Sequence, residues 1–176
     1  MCGKIVSARP IILHGQTQVI SMSLTHEFFL LSGDFDLNEP YEWYRANRYT
    51  WIEKSVVSYE IIQSMKDFLN WLPSFNPESK ESQRGLNYYG VTVINKQGAE
   101  KLIKILDKWL KLIDEAPETF SLRGETVWKE EENEDGYWEQ TRNWLKRETM
   151  QSELEVLINL AVKASGNNQP ILHFGI

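Results

Sequence analysis

The sequence predicts an α+β fold: a mixed or antiparallel sheet that opens with one or two N-terminal hairpins and carries three or four helices, in a single domain over residues 1–176. Three observations lead there. β-Branched and apolar residues dominate residues 4–31, with turn residues interrupting them. Stretches near 58–72 and 96–116 show the three- and four-residue apolar spacing of amphipathic helices. Strands and helices follow in an order that fits helices laid on a sheet better than a doubly wound arrangement. The material for a core is present: 41% of the 176 residues are hydrophobic, and a chain of this length buries roughly 70% of its extended surface on folding.

The elements follow in order. "KIVSA", "PIILH" and "QTQVISMSLTHEFFLL" read as strands. In the last, Val19, Ser21, Ser23 and Thr25 alternate with Ile20, Met22, Leu24 and His26. "SGDFDLNEPYEW" breaks this pattern with Gly, Asp, Asn and Pro, as a loop does. "SYEIIQSMKDFLNWL" places Ile61, Ile62, Met65, Phe68, Leu69 and Leu72 on one helical face, with Ser58 as N-cap and Pro73 as terminator. "PSFNPESKESQRG" reads as a polar connector. "LNYYGVTVIN" is a strand, and "KQGAEKLIKILDKWLKLIDEAP" is the clearest helix, apolar over more than half its circumference. "ETFSLRG" returns as a strand, "GYWEQTRNWLKRETMQSELEVLINLAVKASG" reads as helix in one or two pieces, and "PILHFGI" closes the chain as a strand.

Composition narrows the function classes. A single cysteine excludes an intramolecular disulfide, and the start lacks a secretory signal, so a reducing cytoplasm is the expected compartment. No apolar run approaches the ~20 residues of a membrane span. The net charge of -6 and a pI near 5.2 disfavour nucleic acid, whose phosphates require clustered Lys and Arg. That charge is concentrated. Glu125, Glu130, Glu131, Glu132, Glu134, Asp135 and Glu139 face only Lys129 within residues 125–139, and the remainder is neutral. Such a run persists in a solvated loop or hairpin turn, with Trp128 and Tyr137 or Trp138 beneath it, and it can steer a basic partner by its potential.

Motifs for chemistry are sparse. There is no phosphate-binding glycine loop, no G-x-S-x-G and no zinc signature, so neither cofactor nor metal is expected. "ENEDG" and "DFDLNE" imitate calcium loops, but Arg142 stands where the first needs its bidentate Glu, and Glu39 where the second needs Gly. The three histidines, His14, His26 and His173, lie in or beside predicted strands, and His14 would meet His173 if the first and last strands pair. "YEWYRANRYTW" interleaves Tyr41, Trp43, Tyr44, Tyr49 and Trp51 with Arg45 and Arg48, a composition suited either to core coverage or to a protein-contact patch.

Two resemblances bear on function. "MCG" resembles the opening of the class II glutamine amidotransferases and of the SOS-response-associated peptidase family; the resemblance implies that Cys2, freed of Met1, acts as an N-terminal nucleophile. Separately, "YYGVTVIN", the long helix, "APETFSLRG" and the terminal helix before "ILHFGI" resemble, over about the C-terminal half, the bacterial immunity proteins that accompany polymorphic or contact-dependent toxins. That resemblance implies a stoichiometric inhibitor and a basic toxin domain as partner. The leading expectation is therefore a protein-binding module using Glu130, Glu131, Glu132, Glu134, Asp135, Trp128 and Trp138, with Tyr41, Trp43, Tyr44 and Arg45 as the second contact group. A small hydrolase or amidotransferase-like enzyme built on Cys2 is the alternative, and a homo-oligomer, its aromatic patch buried between copies, is the third reading.

Overall fold

The computed structural model describes residues 24–32, 38–130 and 136–176. Among them the elements are β1 (Thr25–Leu30), α1 (Pro40–Asn47), β2 (Lys54–Ser58), α2 (Tyr59–Ser64), α3 (Lys66–Leu69), β3 (Pro73–Asn76), β4 (Glu81–Arg84), β5 (Val91–Ile94), α4 (Lys96–Asp114), β6 (Thr119–Lys129), β7 (Tyr137–Lys146), α5 (Arg147–Asn167) and β8 (Ile171–Phe174). The fold is α+β, as expected. Most of the predicted N-terminal hairpin region, residues 4–23, lies outside the described residues, and only its end is seen, as β1.

Six strands form one sheet in the order β2-β1-β8-β5-β3-β4, and every pairing in it is antiparallel. The last strand of the chain is therefore central. β8 lies between β1 and β5, with His173 opposite both Phe28 and Thr92. Both faces of these strands are covered, which is why "VTVI" and "ILHF" are buried at every position rather than alternating.

Alternation along β1 separates two cores. Phe28 and Leu30 point to the helical side, where Ile61 and Ile62 of α2, Leu102 and Leu106 of α4, and Leu154 and Leu157 of α5 meet them. Phe29 and Leu31 point the other way, toward Leu172, Phe174 and the aromatic residues Trp43, Tyr44 and Trp51. α1 thus caps the second face. Pro40 opens it with φ already suited to a first helical turn.

α4 is the helix that the sequence most clearly announces. Asn95 caps it by accepting a hydrogen bond from the Gly98 N–H at 3.0 Å. Gly98 also lets the helix approach β3, since a Cβ there would stand 2.5 Å from the Pro73 carbonyl oxygen. α4 and α5 pack side by side over the sheet, and Asn168 ends α5 in the left-handed region, at φ 54°.

Several local readings are corrected. The single helix expected over 58–72 is broken at Met65, φ -102° and ψ 3°, into α2 and the one-turn α3. The break directs Leu69 and Leu72 into the core but leaves Phe68 41% and Trp71 56% exposed. "PSFNPESKESQRG" is a hairpin, β3–β4, whose turn is held by Asn76 Oδ1 accepting from the Glu78 N–H at 2.9 Å. The segment 137–146 is not helical; it is β7, paired with β6 on both sides of an irregularity at Thr141. No helix among the described residues is long and apolar enough to cross a membrane.

Candidate functional site

The pairing of β6 and β7 produces a two-stranded ribbon separate from the main sheet. Alternation fixes what each side presents. Phe120, Leu122 and Leu145 turn inward onto the helical core. Asn143, buried beside them, donates from Nδ2 to Gln63 Oε1 at 2.7 Å and to the Glu60 carbonyl at 3.2 Å, fastening the ribbon to α2. Cross-strand partners share a face, so the opposite side carries Trp128 with Trp138, Thr126 with Gln140, Arg123 with Arg142, and Ser121 with Trp144.

A bulge divides the ribbon. Gly124 and Glu125 together oppose Thr141, whose hydroxyl donates to the Glu125 carbonyl at 2.8 Å, while Gln140 donates to the Gly124 carbonyl at 2.6 Å. Gly124 is required by proximity. A Cβ there would lie 2.3 Å from Thr141 Oγ1 and 2.9 Å from Asn143 Oδ1.

The outward face is aromatic and cationic. Trp128, Trp138 and Trp144 are 48%, 68% and 72% exposed. Trp128 and Trp138 meet in an edge-to-face pair, 5.3 Å between ring centroids. Arg123 and Arg142 stand directly opposite each other and neither enters a salt bridge among the described residues, an arrangement of like charges that is locally unfavourable. Acid stands at the Trp128 end of the ribbon: Glu130 accepts from Trp128 Nε1 at 3.1 Å, and Glu139 pairs with Lys129. A cleft of about 620 Å³ runs beside β7, where Arg142 and Lys146 face Glu60 and Glu153.

The sequence-predicted residues divide accordingly. Trp128, Trp138 and Glu130 are brought together at the end of the ribbon. Glu131, Glu132, Glu134 and Asp135, like Cys2 and His14, lie outside the described residues. Tyr41, Trp43, Tyr44 and Arg45 lie on α1, across the sheet from the ribbon. Trp43 and Tyr44 are packed into the second core, the latter stacked 4.1 Å from Phe174, while Arg45 is exposed and paired with Glu42 at 2.6 Å. Tyr44 also donates to the buried carboxylate of Glu27, and burial followed by that bond raises its phenol above the ordinary value. Sequence reasoning missed Trp144, Arg123 and Arg142. The period-two series Trp138, Gln140, Arg142, Trp144 was the signal that would have found them.

Two of the three histidines, His26 and His173, meet, while the expected approach of His14 to His173 lies outside the described residues. His26 Nδ1 lies 2.9 Å from His173 Nε2, the rings stack at 5.2 Å, and both side chains are fully buried. Tyr59 stacks on the outer side of His26, and Tyr88 meets it edge-on. Burial lowers His26 to about 4; burial, then the adjacent His26, holds His173 well below the ordinary imidazole value. Among the described residues His26 Nε2, His173 Nδ1 and the Tyr88 hydroxyl have no hydrogen-bond partner. In either neutral tautomer the pair leaves one bare lone pair and one unmet N–H, which fits a structural pair better than a proton relay. Among the described residues no group of three or more His, Cys, Asp or Glu is placed to hold a metal ion.

The chain matches no family model, no curated protein sequence and no solved structure, so the ribbon has to be interpreted on its own geometry.

Proposed function

We propose that this chain is a protein-binding module whose contact element is the outward face of the β6–β7 ribbon. The observation that carries the reading is the exposure of Trp128, Trp138 and Trp144 on one face of one ribbon. Tryptophan and arginine dominate the energetic centres of protein interfaces, and both are gathered here on a strand pair anchored to the core. Large rings left in water gain most when a partner covers them. The resemblance to immunity proteins supports a stoichiometric inhibitor, and a basic toxin domain is the partner chemistry that Glu130 and the acids following it in sequence would steer.

The experiment is a titration by calorimetry against the product of the adjacent reading frame, with parent and variant chains. One-to-one binding that is lost in Trp138→Ser and Trp144→Ser supports the ribbon as the contact element. Replacing Glu130, Glu131, Glu132 and Glu134 with Gln tests the steering: an association rate unchanged at low salt removes the electrostatic part, and undiminished affinity in both tryptophan variants removes the ribbon.

A further inference from the structure

A second surface lies on the helical side of the molecule and owes nothing to the ribbon. Because the chain breaks at Met65, Phe68 and Trp71 are left against α4 instead of entering the core. Phe68 meets Trp71 edge-to-face at 5.3 Å and Trp109 edge-to-face at 5.6 Å, so three rings hold one another in place. With Ile105 and Leu112 they line an apolar groove of about 390 Å³. A further cavity of about 360 Å³ adjoins it, sharing Trp71, Lys101 and Lys104, so the groove extends along α4 toward Gln97, where Glu100 is the one acid in its lining among the described residues.

The rim is cationic on a protein whose net charge is -6. Lys101, Lys104 and Lys108 follow at steps of three and four residues, one line along α4 that is about 10 Å long at 1.5 Å per residue. Among the described residues Lys104 enters no salt bridge. Lys101 lies over the Trp71 ring, at 5.9 Å, and Lys108 stands 3.8 Å from Asp107, which Lys111 already holds at 3.0 Å. Apolar floor and basic rim together specify a complement.

We propose that this groove docks an acidic amphipathic helix of a partner protein, its apolar residues at i, i+4 and i+7 seated among Phe68, Trp71 and Trp109, and its carboxylates paired with Lys101, Lys104 and Lys108. The length of the lysine line calls for charges on successive turns, more than one small carboxylate would supply. The concavity favours inserted side chains over a bilayer, which is met by a protruding apolar surface.

The test is selection from a displayed library of 15-residue helical peptides with Glu, Lys, Leu and Ala allowed at each surface position. Sequences enriched on the parent protein should carry apolar residues at four-residue spacing flanked by Glu. A synthetic peptide of the enriched sequence should lose affinity about tenfold or more against Lys104→Glu/Lys108→Glu, and against Phe68→Ala, while Trp144→Ser leaves it unchanged. Melting temperatures of the variants separate loss of the surface from loss of the fold, and Lys104→Gln supplies a milder change if the double variant is unstable. Enrichment without excess Glu, or affinity indifferent to the lysine changes, overturns the proposal. So does lysine-dependent sedimentation with phosphatidylserine vesicles in place of peptide binding, or concentration-dependent self-association through the same residues.

Discussion

His26 Nδ1 lies 2.9 Å from His173 Nε2, joining a strand near the start of the described chain to the strand at its end, within the helix-covered face of the sheet. Because burial keeps both rings neutral, this contact couples stability to pH. The unfolded chain binds protons on the two imidazoles as pH falls through about 6.5, whereas the folded chain leaves His26 neutral to about 4 and His173 neutral well below its ordinary value. Unfolded protein therefore holds more protons in that window, and stability that is full above pH 6.5 is lost on acidification. Between pH 7 and pH 5 the His26 contribution alone is about 2 kcal/mol. Urea denaturation at the two pH values measures it; a midpoint that does not move between them would exclude a buried neutral pair.

Removing one member of the pair should be worse than removing both. His26→Ala strips the His173 ring of the one side-chain partner it has among the described residues and opens a cavity, an expected loss of about 2–4 kcal/mol at pH 7. His26→Phe combined with His173→Leu eliminates the unmet polar atoms, and should keep stability within about 1 kcal/mol of the parent while flattening the pH dependence. The double variant's pH profile is the deciding measurement.

Trp144→Ser should separate binding from folding. The ring is 72% exposed and takes part in no ring contact among the described residues, so the melting temperature should barely move, with a stability change of about 0.5 kcal/mol or less. Affinity for the partner should fall by about 2 kcal/mol or more, the size expected of a hot-spot tryptophan. A large drop in stability would instead assign Trp144 to the core.

Asn143→Leu should loosen the ribbon without melting the sheet. The substitution deletes the bonds to Gln63, Ser64 and the Glu60 carbonyl, for an expected loss of about 1–3 kcal/mol. Hydrogen exchange should accelerate in β6 and β7 and stay slow in β5 and β8. Uniform acceleration across both sheets would mean that the ribbon unfolds only with the whole molecule.

Gly124→Ala should distort the bulge. Its Cβ would meet Thr141 Oγ1, and that hydroxyl is already committed to the Glu125 carbonyl, so neither can move freely. A loss of about 1–3 kcal/mol is expected, together with a change in the near-ultraviolet circular dichroism of the Trp128–Trp138 pair, whose orientation depends on the bulge. Parent-like spectra and stability would show that the ribbon can absorb the methyl group.

Much of the fold was legible because it is written in local periodicity. The 3.6-residue spacing of Leu102, Leu106 and Ile113 announced α4, and the short apolar runs "VTVI" and "ILHF" announced strands, whose central place only the sheet order shows. The segment 137–146 misled because Glu, Gln, Arg, Leu and Lys are good helix formers, while its alternating pattern is equally compatible with a strand. Its pairing with β6 decides the matter, burying Asn143 and Leu145 and leaving Arg142 and Trp144 outside. Propensity yielded to packing. The break at Met65 was hidden for a similar reason: Phe68 fits the apolar stripe of a continuous helix, and only the local backbone takes it off that stripe.

The sequence by itself determined the α+β class, the positions along the chain of α4, β5 and β8, and the concentration of acid near residues 125–139, since each depends on neighbours within a few residues. Which residues stand together was decided only in three dimensions. The insertion of β8 between β1 and β5 brought His173 to His26, strand pairing gathered Trp128, Trp138 and Trp144 on one face, and the kink before α3 set Phe68 and Trp71 beside the lysines of α4. Those contacts join residues far apart in the chain, and their loop-closure cost is offset only by the burial of the whole core, a quantity that no short window of sequence contains.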